Sequence, residues 1–264
     1  MAGFLIVNPR SGSARPTAEE LADAARARGI EVHLFREGED LEELARGVSA
    51  DALGMAGGDG SLAPVAGVAI ERGLPFVCVP FGTRNHFARD LGLDRDDPIA
   101  ALDAFAGRER RVDVGRAGDR LFLNNVSLGM YALLVHEREK HRRRREALAR
   151  ARAILIALRH FSARGLLVDG EPLRARVVLV ANNAYELDLL SVGERERLDE
   201  GRLHLYVATG ILKAHWEERS GERFEVSARH ASLRAAIDGE PARLQSPIEF
   251  RIEPRALRVL VPPA

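Results

Sequence analysis

The first hundred residues alternate between short apolar runs and longer segments with helical periodicity. Runs such as "GFLIVNP" and "LPFVCVPFGT" predict buried strands, because they are short, apolar and bounded by turn residues. Strands are predicted at residues 3–9, 30–36, 50–58 and 74–83, and helices at residues 16–29, 39–48, 61–73 and 96–108. Strands that alternate with helices of this length predict an α/β domain with a parallel, Rossmann-like sheet.

The pattern changes near residue 110, where alternating apolar and polar positions replace the helical periods. The segment "GRAGDR" is typical of a hairpin tip, and further strands are predicted at residues 166–168, 174–181, 202–208, 223–228, 231–237, 247–253 and 256–261. Residues 130–164 contain neither Gly nor Pro and predict one long helix or two consecutive ones. We therefore predict an α/β domain at 1–110 and an antiparallel β domain at 111–264 that contains this helical segment.

Composition and charge narrow the classes of function. The chain has 264 residues, and its 39 Lys and Arg balance its 39 Asp and Glu, so net charge gives no reason to propose a nucleic-acid partner. The lone cysteine, Cys78, lies in an apolar strand and is expected to be a buried packing residue. No apolar run has the roughly 18 residues that span a bilayer, and the N-terminus lacks the basic region of a signal peptide. We predict a cytoplasmic protein, and the sequence leaves its oligomeric state open.

Three polar loops follow predicted strands of the first domain: "NPRSGS" after the first strand, "GGDGS" after the third and "FGTRN" after the fourth. The carboxyl ends of parallel strands lie at one edge of a sheet, and ligands bind in α/β folds beyond that edge. Three glycine-bearing loops at one edge therefore predict a ligand site.

The glycine cluster at residues 57–61 suits a phosphate. Backbone N–H groups at a strand-to-helix turn form an anion site, and Gly57, Gly58 and Gly60 present no Cβ to a phosphate. Ser61 is expected to cap the following helix. Asp59 would repel a phosphate unless a cation lies between them, which points to Mg²⁺. The alternative is a tight turn with an acidic cap.

Several motifs together resemble a known family. "GGDGSLAPVAG" and "PFGTRNHFARDLGL" look like the Gly-Gly-Asp-Gly-Thr and Pro-x-Gly-Thr-x-Asn-Asp-Phe-Ala-Arg motifs of the diacylglycerol kinase and sphingosine kinase catalytic-domain family. "LIVNPRSG" resembles its first strand and turn, "VDVGRAGDRLFLNNVSLG" the start of its second domain, and residues 237–262 the end of that domain. The resemblance implies a nucleotide domain followed by a β-sandwich domain, and an ATP- and Mg²⁺-dependent lipid kinase that uses a diacylglycerol-like substrate.

The resemblance also implies a role for each matching residue. The phosphates of ATP would be cradled by Gly57, Gly58, Gly60 and Ser61. Two further groups would complete the nucleotide pocket: Asn8, Ser11 and Gly12 on one side, and Gly82, Thr83 and Asn85 on the other. Mg²⁺ and its waters would be held by Asp59 and Asp113. Asp238 would accept the proton of the lipid hydroxyl, with Glu240 supporting it.

A second Asp-Gly-Glu sequence occurs at residues 169–171. We interpret that copy as a plain hairpin turn, because Asp-Gly is a common hairpin signal. The copy at 238–240 is preferred for the catalytic role because its flanking residues match the family pattern.

The chain departs from the family pattern at several positions. His86 replaces an aspartate, Pro64 stands where the family often has Glu, and Ser61 replaces Thr. An imidazole that is protonated would oppose a bound cation. A structural magnesium site near an Asp-Gly turn in relatives finds only a weak counterpart in Asp199 and Glu200.

The segment "REKHRRRREALARAR" at 138–152 carries eight Lys and Arg residues. One interpretation is a solvated helix face. The other is peripheral contact with an anionic membrane at its inner face, where each basic side chain contributes about 1 kcal/mol, and the apolar "ILIALRHF" next to it would add contact with lipid. A kinase whose substrate lies in a bilayer favours the second interpretation.

Three functions remain in competition. The leading one is the lipid kinase. NAD kinase shares the Gly-Gly-Asp-Gly sequence and is disfavoured by "GTRNHFARDLG" and by the lack of an Asn-Glu pair. The third is a nucleotide- or lipid-binding protein without catalysis, which the departures at His86 and Pro64 suggest.

Overall fold

The computed structural model describes residues 2–12, 15–129, 163–175, 177–186, 193–208 and 216–263. The chain forms two compact units. The first unit contains residues 1–114, 194–200 and 254–264, and the second contains residues 115–193 and 201–253. The predicted helical segment 130–164 and the basic segment 138–152 lie outside the described residues, except that 163 and 164 open a strand.

The first unit alternates strands with helices. In chain order its elements are β1 Gly3–Val7, α1 Ala18–Arg26, β2 Glu31–Leu34, α2 Leu41–Gly47, β3 Ala52–Gly57, α3 Asp59–Glu71, β4 Phe76–Pro80, α4 His86–Asp90 and a 3-10 helix, Ala100–Ala106. The strands β2, β1, β3 and β4 are paired in that order, all in parallel. The parallel sheet predicted from the alternating pattern is therefore confirmed.

Burial explains why these strands read as continuous apolar runs. Every residue of β1, β3 and β4 is buried, as expected for a parallel sheet that is covered on both faces. Cys78 lies on β4 and is buried as predicted. Its burial, with a smaller effect of the nearby Asp59 charge, raises the pKa of the thiol. The thiol therefore stays protonated and acts as a packing group.

Three helical details differ from the sequence prediction. The helix α3 begins at Asp59 rather than at Ser61, because Gly58 takes the extended conformation of an N-cap. The segment 96–108 forms a 3-10 helix instead of a longer α-helix. The five-residue helix α4 was not predicted, and it places His86 at its first position. Pro64 lies inside α3, where it removes one backbone N–H donor from the helix.

The second unit consists of antiparallel strands. They are β6 Arg120–Phe122, β7 Asn125–Gly129, β8 Ala163–Val168, β9 Glu171–Ala175, β10 Val177–Asn182, β11 Leu203–Ala208, β12 Trp216–Gly221, β13 Arg223–Ala228, β14 Ser232–Ile237 and β15 Glu240–Gln245. Two more strands are shared with the first unit: β5 Arg108–Ala117 and β16 Ile248–Val261. The predicted "GRAGDR" hairpin is confirmed, since β5 and β6 pair across it.

The strands of the second unit form a β-sandwich. One sheet has the order β12-β11-β10-β7-β14-β15, and the other contains β16, β13, β8 and β9. Side chains of both sheets share one core, with Val126 and Leu205 from the first sheet and Phe224 and Phe250 from the second. The predicted combination of an α/β domain with a β-sandwich domain is therefore confirmed.

The division into units differs from the predicted boundary at residue 110. Residues 254–264 return to the first unit, because Val259 and Leu260 of β16 pair in parallel with β4. The two strands predicted at 247–253 and 256–261 are one strand, β16, with a positive φ at Arg255. The strands β12 and β15 were not predicted. Within the described residues, no helix is long and apolar enough to cross a membrane.

Candidate active site

The strand order of the first unit defines a crevice. The connections from β1 lead to β2 on one side and, through β2, to β3 on the other side. The switch point therefore lies between β1 and β3, and ligands of doubly wound folds bind beyond the carboxyl ends of the strands at this point. The loops 8–12 and 58–61 follow these two strands, as the sequence predicted.

The glycines of the loops allow backbones to approach each other closely. A Cβ on Gly82 would collide with the Cα of Gly58 and would lie 2.9 Å from the side-chain oxygen of Asn85. A Cβ on Gly12 would lie 2.5 Å from the ring of Phe81. The loops after β1, β3 and β4 are therefore packed against each other, and a side chain at these glycines would separate them.

Ser61 does not cap α3, contrary to the prediction. Its hydroxyl donates a hydrogen bond of 2.8 Å to the carbonyl oxygen of Gly58, because it lies in the first helical turn and not before it. A Cβ on Gly57 would collide with this hydroxyl. The N-cap is Gly58, which has no side chain, so no side-chain cap covers the first turn of α3. The backbone N–H groups in the first turn of a helix favour a bound anion.

The Asp59 carboxylate connects two of the loops. Its two oxygens accept hydrogen bonds from the backbone N–H groups of His86, at 3.2 Å, and Phe87, at 3.0 Å. Asp59 is buried, with 9% of its surface exposed. The carboxylate thus holds the N-terminus of α4 against the start of α3.

Asn85 closes the loop after β4. It has the left-handed conformation, with φ 50°, and is buried. Its side-chain oxygen accepts from Gly82 N at 2.8 Å, and its amide donates to Gly82 O at 2.9 Å. Thr83, inside this loop, is exposed. Asn85 therefore shapes the loop, and Thr83 and Arg84 are its exposed residues.

The loop after β1 is a turn held by Asn8. The backbone N–H of Asn8 donates to Ala56 O of β3, and its side-chain oxygen accepts from Arg10 N at 3.1 Å. Ser11 N donates to Asn8 O. Asn8, Ser11 and Gly12 thus lie where the sequence placed them, in a turn beside the carboxyl end of β3.

His86 occupies the position of the expected aspartate. Burial lowers the pKa of its imidazole, and the cationic Arg89 and Arg84 lower it further, while Asp59 and Asp90 oppose the shift. The ring is therefore neutral at pH 7 and does not add a positive charge near Asp59.

Asp113 lies in a different setting from Asp59. It is 1% exposed, and its carboxylate accepts a hydrogen bond of 2.7 Å from the backbone N–H of Arg255, the residue of positive φ in β16. Asp199, named for a weak second metal site, forms ion pairs with Arg197 and Arg255. Among the described residues, no three His, Cys, Asp or Glu side chains form a group that could hold a metal ion.

Asp238 lies in the turn between β14 and β15, in the second unit. Its carboxylate accepts three backbone hydrogen bonds, from Leu123 N and Asn124 N at 2.8 Å and from Asn125 N at 3.1 Å. The residue is 7% exposed and has φ 48°, followed by Gly239 with φ 86°. The carboxylate is thus fixed against the start of β7.

The copy at Asp169 has the same turn and a different environment. Asp169 and Gly170 also have positive φ, and the Asp169 carboxylate accepts from Glu225 N at 2.8 Å. Asp169 is exposed, whereas Asp238 is buried. The predicted hairpin at 169–171 is confirmed, and it provides a matched reference for Asp238. Glu240 is exposed at the start of β15.

Sequence reasoning missed Ser127. Its hydroxyl lies on β7, is 1% exposed, and has no hydrogen-bond partner within the described part of the chain. Ser127 faces away from the sandwich core, since its neighbours Val126 and Leu128 face that core. Its cross-strand neighbours are Leu179 and Ala236, and Asp238 follows Ala236 by two residues. Ser127 is a candidate only because its hydroxyl is buried without a partner within the described part of the chain, and burial of that kind cannot be read from a sequence.

Comparison with known proteins connects this geometry to a family. Residues 2–117 match the model of the diacylglycerol kinase catalytic domain. The chain is 25% identical to a probable lipid kinase, YegS-like, of Klebsiella pneumoniae, over 99% of this chain and 96% of that protein. It is 34% identical to a diacylglycerol kinase of Bacillus subtilis over 90 residues, 33% of this chain and 30% of that protein.

A solved structure shares the fold. The crystal structure of a diacylglycerol kinase from Bacillus anthracis superposes with a TM-score of 0.73 over 98% of this chain and 96% of that one, at 19% identity. The match thus covers both units. Together with the motifs at 57–61 and 80–90, these similarities confirm the resemblance to the diacylglycerol kinase catalytic-domain family, whose model matches residues 2–117.

Proposed function

We propose that the protein transfers the γ-phosphoryl group of ATP to the hydroxyl of a diacylglycerol-like lipid, with Mg²⁺. The observation that carries the proposal is the contact between Gly58 and Gly82 beside the uncapped start of α3. Phosphoryl transfer depends on positioning and on neutralising charge, and a rigid set of backbone N–H groups supplies both. The similarity of nearly the whole chain to a probable lipid kinase supports the class of acceptor.

The nucleotide would bind at the loops of the first unit. Its phosphates would contact the N–H groups at the start of α3 and the loops that hold Asn8 and Asn85. Arg84 supports this assignment, because it is an exposed cation in the loop after β4 and forms no ion pair among the described residues. Gly12, Gly57 and Gly82 keep the backbone close enough for these contacts.

The residues present fit Mg²⁺ in the way that kinases usually hold it. The ion commonly binds one or two carboxylates together with substrate phosphates and waters, rather than a cage of protein ligands. Asp59 places a carboxylate at the start of α3, and the neutral His86 does not repel a cation. Mg²⁺ would neutralise phosphate charge there. The role of Asp113 in this network stays a prediction, since its carboxylate is bonded to Arg255 N.

The acceptor would be bound by residues of the second unit. Asp238 would accept a hydrogen bond from the lipid hydroxyl, and Glu240 would support it. Ser127 offers an unpaired hydroxyl on the same strand as Asn125, which contacts the Asp238 turn. Leaving a hydroxyl buried without a partner costs about 1–3 kcal/mol, so a polar atom of the lipid is a suitable partner for it.

The test is transfer of labelled γ-phosphate from ATP to a lipid extract, with NAD as a second acceptor in a parallel reaction. The proposal predicts labelled product in the organic phase, and loss of product when Mg²⁺ is removed. Binding of ATP without transfer to any acceptor would instead favour the non-catalytic alternative that His86 and Pro64 suggest. Labelled NADP would favour NAD kinase.

We also propose that residues 138–152 contact anionic membrane, which would bring the enzyme to its substrate. The proposal depends on the sequence alone, where eight basic residues precede an apolar run.

A further inference from the structure

A short segment of the chain contacts α4 through a buried ion pair. Residues 194–200 belong to the first unit, although the chain before and after them belongs to the second. Arg195 Nε lies 2.7 Å from an Asp90 carboxylate oxygen, and both side chains are 0% exposed. We refer to residues 194–200 as the strap.

Both oxygens of the Asp90 carboxylate are paired with arginines. Its second oxygen accepts from Arg89 at 2.8 Å, and Arg89 also lies 3.5 Å from Glu194 of the strap. The strap is held a second time, because Leu198 O accepts from Asp113 N at 2.7 Å. The ion pair is therefore part of a fixed attachment of the strap.

A buried ion pair is weak support for stability, because the loss of hydration offsets much of the attraction between the charges. The best-attested role of buried charged pairs is to select one conformation of the chain among several. The helix α4 requires such a device, because a helix of five residues is far below the length at which helices hold themselves together.

The two ends of α4 are held by different side chains. Asp59 accepts the N–H groups of His86 and Phe87 at the N-terminal end, and Arg195 holds Asp90 at the C-terminal end. The loop that contains Gly82 and Asn85 enters α4 directly. A rotation of α4 would therefore move this loop away from Gly58.

We propose that Arg195 is a positioning residue for nucleotide binding: it fixes α4 and, through α4, the loop 82–85 against the start of α3. The inference rests on the proposed function, because it assigns the nucleotide to these loops. Arg195 itself contacts no substrate in this mechanism. It acts through α4 on the position of the backbone groups in the loop 82–85.

The first experiment compares Arg195→Met with Arg197→Met. Arg197 is a matched control in the same strap, since it is an exposed arginine that pairs with Asp199. We expect Arg195→Met to lower kcat/KM for ATP by about 10-fold to 10²-fold, the loss typical of a misplacement near 1 Å. The KM for the lipid should stay unchanged, and Arg197→Met should resemble the wild type.

A second variant separates positioning from stability. The double variant Asp90→Leu/Arg195→Met removes both buried charges, so its melting temperature should recover relative to Arg195→Met. Arg89 keeps Glu194 as a partner in this variant. We expect kcat/KM for ATP to stay low in the double variant. Recovery of kcat/KM together with the melting temperature would overturn the proposal, because the effect would then be stability alone.

Hydrogen exchange distinguishes this proposal from the proposed function. Without nucleotide, the amides of residues 82–91 should exchange faster in Arg195→Met than in Arg197→Met. If the wild type neither binds ATP nor phosphorylates lipid, the proposed function is refuted, even if exchange is faster in Arg195→Met. Arg195 would then hold α4 without any role in nucleotide binding. An active wild type with equal exchange and equal KM for ATP in both variants would overturn the positioning role alone.

Discussion

Replacing Asp59 by Asn removes one charge and one acceptor from the site and changes little else in size. In the native protein the two carboxylate oxygens face two backbone donors, His86 N at 3.2 Å and Phe87 N at 3.0 Å. An asparagine keeps one oxygen for one of these donors. Its NH₂ group then faces the other N–H group, so one hydrogen bond is lost and two donors meet.

The size of the effect follows from these two bonds. A hydrogen bond to a charged group contributes about 1.5–3 kcal/mol, and each kcal/mol lowers the melting temperature of a chain of this size by about 2–4 °C. We therefore expect Asp59→Asn to melt roughly 3–12 °C lower than the wild type. Phosphoryl transfer should fall further, by about 10²-fold or more, because a group that stabilises charge in the transition state is lost as well.

Asp40 provides the control. Its carboxylate also accepts two backbone N–H groups, from Glu42 and Glu43 at 2.8 and 2.9 Å, at the start of α2. Asn caps helices as well as Asp does. Asp40→Asn should therefore change stability by less than about 0.5 kcal/mol and leave transfer unchanged.

Melting temperature and transfer rate are measured on the same preparations of the three proteins. Wild-type melting and a wild-type rate for Asp59→Asn would refute the reasoning entirely. A lowered melting temperature with a normal rate would refute the contact with Mg²⁺ and leave Asp59 as the anchor of α4. Lost activity at an unchanged melting temperature would refute the anchor.

Four further outcomes are expected. Asp238→Asn should lower turnover by about 10²-fold with little change in ATP affinity, whereas Asp169→Asn, in the matching exposed turn, should be nearly silent in the same assay. His86 has a folded-state pKa below the ordinary 6.5, so the unfolded state binds more protons and stability should fall as the pH drops through 6.5; His86→Asn should reduce this loss in urea titrations. Ser127→Ala should raise the KM for lipid and slightly raise the melting temperature. A KM and a melting temperature equal to those of the wild type would contradict the contact between Ser127 and the lipid. Changing residues 142–145 to Gln should weaken binding to anionic vesicles, with a difference that shrinks as salt rises.

The fold was predictable because its signals are local. Strands β1, β3 and β4 are continuous apolar runs with turn residues directly after them, and helices with capping residues lie between them. The three loops were placed correctly at one edge by the same reasoning. The helix α4 was not predicted because a five-residue helix is too short to show helical periodicity in the sequence. It is held by contacts with residues that are distant along the chain.

The hydrogen bonds and ion pairs within the site could not be predicted from the sequence, because the residues that form them are distant along the chain. Asp59 bonds residues 27 and 28 positions away, and Asp238 bonds residues 113 to 115 positions away. Arg195 and Asp90 are 105 positions apart. The motifs therefore predicted roles for Asp59 and Asp238, while the backbone N–H groups that bond these carboxylates are brought to them only by the fold.

These N–H groups restrict what Asp238 can do as a base. A carboxylate offers about four lone-pair positions, and the backbone N–H groups of Leu123, Asn124 and Asn125 occupy three of them. Phosphoryl transfer through a loose transition state demands little proton removal before the new bond forms. In the proposed reaction we therefore expect Asp238 to orient the lipid hydroxyl and to receive its proton late, a task that suits a carboxylate held in place by backbone hydrogen bonds.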